Sequence, residues 1–247
     1  MKLKDWIPMY NLDFNHLSHN NNAIDLLKDN QHLIDWHFLS SNHNATEVLK
    51  KNKNRIDWEM LVFNPNAIQI LEQNQYNINW KLLSRNPNAI DLIKSNPTQI
   101  DWKNLSSNYK AIDMLKKNPD KINWFNLSKN PNAIDLLLKY PDNINWKGLS
   151  QNPNAIDILE HNVPKIHWDQ LSYNPNAIHI LQDNIDNINW KNLSSNMHAI
   201  HLLNQYPSKI DWDELSNNPN AIDLLEKNKD NINWIGLSSN PSIFEPN

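Results

Sequence analysis

Apolar residues recur along most of the chain with a strict period of 22 residues. Ten tryptophans mark the period from Trp36 to Trp234, and one step before Trp36 lies Phe14. The eleven units read I-[ND]-W-x-x-L-S-x-N-P-N-A-I-D-L-L-x-x-N-x-x-x, and no insertion or deletion interrupts them. Fixed spacing of this kind is typical of folds in which each unit packs on its neighbours. The pattern therefore predicts a solenoid of eleven 22-residue units, the last of them truncated.

Each unit contains two signals for the start of a helix. Asp or Asn precedes the Trp, as in Asp35 and Asn79, and its side-chain oxygen can accept a hydrogen bond from an unpaired N–H of the first turn. The Asn-Pro pair, as in Asn130 and Pro131, suits the N-cap and the first position of a second helix. Apolar residues of this second helix recur at i, i+3 and i+4, and two-residue alternation is absent, so we expect helices and no strands.

Helices this short need their neighbours for stability. We therefore predict an all-α fold, an α-solenoid in which pairs of short helices over residues 12–240 form a single right-handed superhelix. Residues 1–11 lie outside the period and are interpreted as an N-terminal cap that covers the open face of the first unit. Residues 241–247 are interpreted as a C-terminal cap or a truncated repeat. The Trp, at one fixed position beside Ile and Leu, is predicted to line the core rather than to form an aromatic platform for sugars or bases.

Asparagine dominates the composition, with 46 Asn against two Gly. Turns often need a positive φ, which glycine adopts easily, and Asn is the next most tolerant residue. Asn residues at the far end of the second helix, such as Asn74 and Asn118, are therefore predicted to adopt the left-handed conformation.

The formal net charge of −4 argues against a global basic field that would recruit nucleic acid or an anionic membrane. There is no cysteine, which excludes disulfides, thiol catalysis and Cys-ligated zinc. No apolar stretch approaches the roughly 20 residues of a membrane span, and the first residues do not resemble a signal peptide. We therefore expect a soluble, intracellular protein.

Residue patterns typical of catalysis are missing. There are no paired carboxylates, no Gly-rich phosphate loop and no distinct Ser-His-Asp arrangement, and the Ser after Leu recurs in ten of eleven units, with Val62 as the exception. A repeated Ser indicates a structural role near a helix end, so we predict neither enzymatic activity nor a cofactor. His179 and His201 in adjacent units, with His198 nearby, resemble a metal site. However, packed helices lie about 8–10 Å apart, so a solvated polar column is the preferred interpretation.

The variable positions next to the Trp helix are where a partner could be recognised. Basic and aromatic residues at these positions form a candidate binding strip: Phe63, Lys81, Arg85, Lys103, Phe125, Lys129, Lys147 and Tyr173. We expect a scaffold that binds a protein partner. The sequence leaves open the identity of this partner and the oligomeric state of the chain itself. Nucleic-acid binding through the Lys/Arg residues, a structural role in a virion, and ordinary solvated surface are the alternatives.

The unit also resembles a known class of repeats. The segment WKGLSQNPNAIDILEHN, residues 146–162, resembles the short tandem repeats of giant DNA viruses of the mimivirus type, and the likeness covers nearly the whole chain. It implies a viral protein located in the host cytoplasm or the virion, and implies no activity. The N-P-N-A element is similar to leucine-rich-variant repeats, which alternate an α-helix with a 3-10 helix. That likeness implies that the Trp-containing helix can be a 3-10 helix.

Overall fold

A computed structural model describes residues 1–246, and the chain forms two compact units. Unit 1 consists of Met1–Ile78 and Tyr206–Asn247, and unit 2 consists of Asn79–Gln205. Both are built of short helices in a repeating order, so the predicted all-α repeat solenoid is confirmed.

The first helix of each repeat begins at the Trp, or at the equivalent Phe in the first repeat. Asp or Asn before it caps the helix in every repeat except that of α15, as in Asn145, whose Oδ1 accepts from the N–H of Gly148 at 3.0 Å. In the repeat of α15, His167 precedes the Trp and its side chain makes no capping hydrogen bond. All of these helices are α-helices rather than 3-10 helices. Their bounds are α1 Phe14–His19, α3 Trp36–Ser41, α5 Trp58–Leu61, α7 Trp80–Leu83, α9 Trp102–Leu105, α11 Trp124–Ser128, α13 Trp146–Ser150, α15 Trp168–Leu171, α17 Trp190–Ser194, α19 Trp212–Ser216 and α21 Trp234–Ser239.

The second helix of each repeat begins three residues after the end of the Asn-Pro pair or its equivalent, as Ile134 does after Pro131. Its bounds are α2 Ile24–Asp29, α4 Thr46–Lys51, α6 Ile68–Glu72, α8 Ile90–Lys94, α10 Ile112–Lys117, α12 Ile134–Lys139, α14 Ile156–Glu160, α16 Ile178–Gln182, α18 Ile200–Gln205 and α20 Ile222–Lys227. In several repeats a 3-10 turn precedes it: Asn21–Ala23, Pro87–Ala89, Pro131–Ala133, Pro219–Ala221 and, after α21, Pro241–Ile243. Pro131–Ala133 and α12 together cover the second helix predicted from the Asn-Pro signal.

A third short element, which the sequence pattern did not predict, links each second helix to the next Trp. These 3-10 helices are Gln31–Leu33, Lys53–Arg55, Gln75–Asn77, Pro97–Gln99, Pro119–Lys121, Pro141–Asn143, Val163–Lys165, Ile185–Asn187, Pro207–Lys209 and Lys229–Asn231, and Met9–Asn11 is a further one near the start of the chain. Their sequences share no residue type at a fixed position, so only the backbone geometry reveals them.

One strand pair departs from the prediction of no strands. In unit 1, β1 (Lys2–Leu3) pairs antiparallel with β2 (Phe244–Glu245), and Lys2 lies opposite Glu245. Two-residue strands are too short to show an alternating pattern, so the pairing depends on the two ends of the chain meeting in space.

A buried serine connects neighbouring repeats. In unit 2, Ser128 Oγ donates to the carbonyl oxygen of Trp124 at 2.7 Å and accepts from the backbone N–H of Asn145 in the next repeat at 3.0 Å. Ser150 does the same with Trp146 and His167. Because both hydrogen-bonding roles of the hydroxyl are used, the repeated Ser has the structural role that the sequence indicated.

A buried asparagine makes the second connection. Asn152 is fully buried. Its Nδ2 donates to the carbonyl oxygens of Ser128 at 3.0 Å and Asn130 at 2.8 Å in the preceding repeat. Its Oδ1 accepts from the N–H of Asn154 at 3.0 Å. Three satisfied bonds on one buried amide explain why Asn recurs at this position. We call this Ser and Asn arrangement the ladder.

The prediction of left-handed Asn residues is wrong. No residue in the described part of the chain has a positive φ. Asn74 and Asn118 have φ of −137° and −134°, and their Nδ2 atoms donate to the carbonyl oxygens of Ile70 and Met114 four residues earlier. Asn is therefore abundant because its amide satisfies backbone groups at helix ends, and the turns are made by 3-10 helices that need no glycine.

The core consists of Leu and Ala rather than Trp. Leu127, Ala133 and Leu149 are fully buried, whereas every Trp in the repeats is only half-buried. The prediction that the Trp side chains line the core therefore needs correcting. The first helix turns the Leu at its fourth position inward and leaves the indole at the rim of the repeat.

The first and last repeats pack on each other within unit 1. Helix α1 contacts α21 as well as α3. Asn20 Nδ2 donates to the carbonyl oxygens of Ser238 at 3.0 Å and Asn240 at 2.9 Å, which repeats the ladder. The last repeat offers the same backbone carbonyl oxygens as any preceding repeat. It therefore packs on the face of the first repeat that was expected to be open. Residues 1–11 and 241–246 lie at this junction.

Candidate binding surface

The residues at the first and fifth positions after each Trp lie on one side of the repeat, because they are four residues apart. In the repeats of α7, α11 and α15, the fifth position lies just beyond the end of the first helix. Asn side chains keep these faces in register between repeats. Asn104 Nδ2 donates to the carbonyl oxygen of Lys81 at 2.9 Å, and Asn126 Nδ2 donates to that of Lys103 at 2.7 Å. The seven candidate residues of unit 2 at these positions form what we call the basic–aromatic strip: Lys81, Arg85, Lys103, Phe125, Lys129, Lys147 and Tyr173.

Lys129 is the centre of the strip. Its Nζ lies 4.3 Å from the centroid of the Phe125 ring, a cation–π contact between a residue of α11 and the residue that follows the end of this helix. Burial lowers the pKa of Lys129 below its ordinary value, and the neighbouring charges of Arg85 and Lys147 lower the pKa further. Three repeats thus bring cations close enough to repel one another, which creates a local positive potential.

This positive charge is not neutralised inside the protein. Within residues 1–246, none of the five strip cations forms a salt bridge. On the second helix α8 of the same unit, Asp91 pairs with Lys94 at 3.5 Å rather than with a strip cation. The strip is therefore available to a negatively charged partner.

The aromatic members of the strip differ in their surroundings. Phe125 is 37% exposed and lies under Lys129. Tyr173 is 43% exposed and follows α15, which carries the acidic Asp169, whose Oδ1 accepts from Asn189 at 2.9 Å. The positive part of the strip thus ends at Lys147. Phe63, 39% exposed, is the one candidate residue that belongs to unit 1.

Gly148 allows the helices that carry the strip to approach closely. A Cβ at this position would lie 2.6 Å from the backbone oxygen of Phe125 and 3.0 Å from the Cβ of Ser128. Any side chain here would force α11 and α13 apart, since backbone atoms cannot rotate away. The glycine thus holds Phe125 and Lys129 against the next repeat.

Replacing Gly148 by Ala is expected to lower the free energy of unfolding by about 1–3 kcal/mol, the usual cost of overpacking. Gly236→Ala is the matched control at the same position of the last repeat. There the new Cβ would meet only the side-chain amide of Asn217, which can move. Urea melts followed by circular dichroism measure both variants, and equal stability losses would contradict the close-approach role of Gly148.

Two Trp rings of unit 2 lie under a Lys from the 3-10 helix at the end of the same repeat. In unit 2, Lys121 Nζ lies 4.9 Å from the centroid of Trp102, and Lys165 Nζ lies 4.5 Å from that of Trp146. The half-buried indoles therefore already have partners on one side. This arrangement argues against the Trp column as an open platform for sugars or bases.

The histidines considered for metal binding have separate partners. His179 Nε2 lies 2.5 Å from Glu160 Oε1, His198 Nδ1 lies 2.9 Å from a backbone carbonyl oxygen, and His201 contacts Gln205 at 3.0 Å. Over residues 1–246, no group of three or more His, Cys, Asp or Glu side chains could hold a metal ion.

An apolar cleft in unit 1 was not predicted from the sequence. It has a volume of about 410 Å³ between α2 and α4, with Leu27, Ile34 and Trp36 on one side and Val48 on the other. Val48 stands where the other repeats have Leu, Ile or Met, so a shorter side chain helps to open the space. This departure from the repeat pattern is the sequence signal that could have indicated the cleft.

Within residues 1–246, no helix combines the length and the apolar character needed to cross a lipid bilayer. No protein-family model, curated protein or solved structure matches the chain. The geometry and charge of the basic–aromatic strip are therefore the basis on which a function can be assigned.

Proposed function

We propose that the chain is a non-enzymatic scaffold that binds an acidic segment of a protein partner along the basic–aromatic strip. The observation that carries this proposal is the group of Arg85, Lys129 and Lys147, in which Lys129 experiences the positive charges of the other two and none of the three forms a salt bridge within the described residues. Carboxylates of a partner would relieve this repulsion, and the Arg85 guanidinium can hold a carboxylate through two hydrogen bonds.

The exposed rings add an apolar component to the surface. Phe125 and Tyr173 lie among polar side chains, and aromatic residues together with Arg are the residues most often found at the centre of protein–protein interfaces. The repeat also supplies the same recognition position several times, so weak contacts can add along one bound segment.

A catalytic role has no support in the arrangement of the nucleophilic groups. The repeated Ser side chains, such as Ser128 and Ser150, are fully buried and use their hydroxyls within the ladder. A serine nucleophile must be exposed and activated by an adjacent base. The non-enzymatic proposal therefore follows from where these hydroxyls lie.

Nucleic acid is the second candidate, because phosphates would also be attracted to the five strip cations. The acidic residues Asp91, Asp113 and Asp135 on the second helices of the same unit are exposed and reduce the potential that a long polyanion would meet. A short acidic peptide can contact the strip alone, and we therefore favour a protein partner.

The test uses a fluorescein-labelled copolymer of Glu and Tyr as the protein-like probe and oligothymidylate as the nucleic-acid probe, each followed by anisotropy at ~150 mM salt. We expect the peptide to bind and Lys129→Glu or Arg85→Glu to weaken its affinity on the order of tenfold or more, since each removes one cation and adds one anion.

Lys117→Glu is the control, because Lys117 is exposed at the end of α10, lies outside the strip and undergoes the same charge change. An equal loss in Lys117→Glu would show only a non-specific effect of net charge. Preferential binding of oligothymidylate, with log affinity falling linearly against log salt, would replace the protein partner by nucleic acid.

A further inference from the structure

The junction between the first and last repeats of unit 1 uses the same contacts as neighbouring repeats elsewhere. Asn20 Nδ2 donates to the carbonyl oxygens of Ser238 and Asn240, as Asn42 Nδ2 does to those of Ser18 and Asn20 at 3.0 and 2.9 Å. The N–H of Asp13 donates to Ser238 Oγ at 2.9 Å. The last repeat therefore takes the place of a preceding repeat for the first one.

The two sides of this junction are complementary and different. The first repeat contributes the donors, namely the amides of Asn20 and Asn22 and the N–H of Asp13. The last repeat contributes the acceptors, namely Ser238 Oγ and the carbonyl oxygens of residues 238, 240 and 241. An interface with unlike sides is heterologous and can join identical chains end to end.

The terminal residues form a second layer over the junction. Lys2 Nζ lies 2.9 Å from Glu245 Oε1 and Lys4 Nζ lies 3.4 Å from Glu245 Oε2. The hydrogen bond from Lys2 is the main reason why the pKa of Glu245 is below its ordinary value. Lys229 lies over the ring of Trp6 at 5.4 Å. These contacts and the pairing of β1 with β2 are small and partly exposed, and ion pairs of this kind contribute little stability.

Covalent continuity distinguishes this junction from the others. Successive repeats elsewhere in unit 1, such as those of α1 and α3, are joined by the chain itself, whereas α1 and α21 are held by non-covalent contacts alone. If the junction opens, the amide of Asn20 and the carbonyl oxygens of residues 238 and 240 lose these partners and face water instead. The surface that restores every one of these bonds is the opposite end of a chain with the same sequence.

From this complementarity we propose that the junction opens reversibly and that, when it is open, its two sides bind a second copy of this chain. The first repeat of one copy then pairs with the last repeat of the other through the ladder contacts of Asn20 with residues 238 and 240. Within one molecule the two ends are held at a high effective concentration, so the closed monomer is favoured in dilute solution and exchange between copies is favoured as the protein concentration rises.

The experiment traps each state by a disulfide between cysteines introduced in place of Lys2 and Glu245, which lie directly opposite each other in the strand pair. Side chains in such pairs are close enough for a disulfide to form with small adjustments. The chain contains no cysteine, so any disulfide involves an introduced residue. Lys2→Cys/Glu245→Cys in one chain, oxidised in dilute solution, is expected to give an internally linked monomer.

The decisive sample mixes two differently tagged copies, one with Lys2→Cys alone and one with Glu245→Cys alone, incubated at high concentration before oxidation. The control mixture replaces Glu245→Cys by Glu226→Cys, an exposed position on α20. A non-reducing gel and mass spectrometry are expected to show several-fold more mixed disulfide dimer in the first mixture than in the control mixture. No excess of the mixed dimer, while the double variant still closes internally, would overturn the exchange between copies. Failure of the double variant to close would overturn the junction itself.

Discussion

Asn152→Asp is expected to lower the free energy of unfolding by about 3–5 kcal/mol, one of the largest effects of any substitution in unit 2. The new side chain has the same shape, but a carboxylate oxygen replaces the amide nitrogen that donates to Ser128 and Asn130. Two carbonyl oxygens would then face a buried negative charge, and each would lose its donor. The cost should be largest near neutral pH, where the new carboxyl group is ionised.

The pH dependence of this variant has a defined sign. Burial beside carbonyl oxygens raises the pKa of the new carboxyl group in the folded state above the value of about 3.9 in the unfolded state. The folded state therefore binds the proton first, and the loss of stability relative to wild type should diminish as the pH falls through the raised pKa.

Urea melts at pH 7 and pH 5 measure both effects. Asn143→Asp is the matched control, since Asn143 is exposed on the 3-10 helix Pro141–Asn143 of the same unit. The ladder would not have its proposed role if Asn152→Asp lost no more stability than Asn143→Asp.

Leu149→Ala is expected to lower the free energy of unfolding by about 2–5 kcal/mol, the range for truncating a fully buried Leu. Leu149 is 0% exposed at the fourth position of α13, where the equivalent Leu recurs in every repeat. Removing the side chain leaves a cavity that the short helices on both sides, held by ladder hydrogen bonds, can fill only in part.

Leu138→Ala provides the comparison within the same unit, because Leu138 is 58% exposed on α12. Its loss should change stability by no more than about 0.5 kcal/mol, as for most surface substitutions. Calorimetry or urea melts of the two variants separate the outcomes. Similar losses at Leu138 and Leu149 would mean that the repeat core does not lie along the Leu column.

The candidate surface could be predicted only in part. Helical spacing places Phe125 and Lys129 on one face, and the structure brings them into contact. The effect of Arg85 and Lys147 on the pKa of Lys129 needs the stacking of the four repeats from α7 to α13, and spacing within one helix carries no information about that stacking.

The roles of Trp and Asn show where residue type misleads. A large apolar residue at a fixed position predicts a place in the core. The indole nevertheless lies at the rim, because the packing of the first helix decides which of its side chains face the core. Asn suggests left-handed turns, yet its amide instead bonds to backbone groups of its own helix and of the preceding repeat. Both errors arise because propensities describe one residue, whereas these positions are set by partners in another repeat.

The sequence by itself determined the repeat, the two helix caps of each unit and the all-α class, because capping and apolar periodicity act within a few residues. Only the tertiary structure decided which polar groups the Ser and Asn side chains satisfy and that the last repeat packs on the first. These features are hydrogen bonds between residues 17 to 24 positions apart along the ladder and more than 200 positions apart at the junction. Such bonds form only when whole repeats stack, and local sequence preferences carry no information about them.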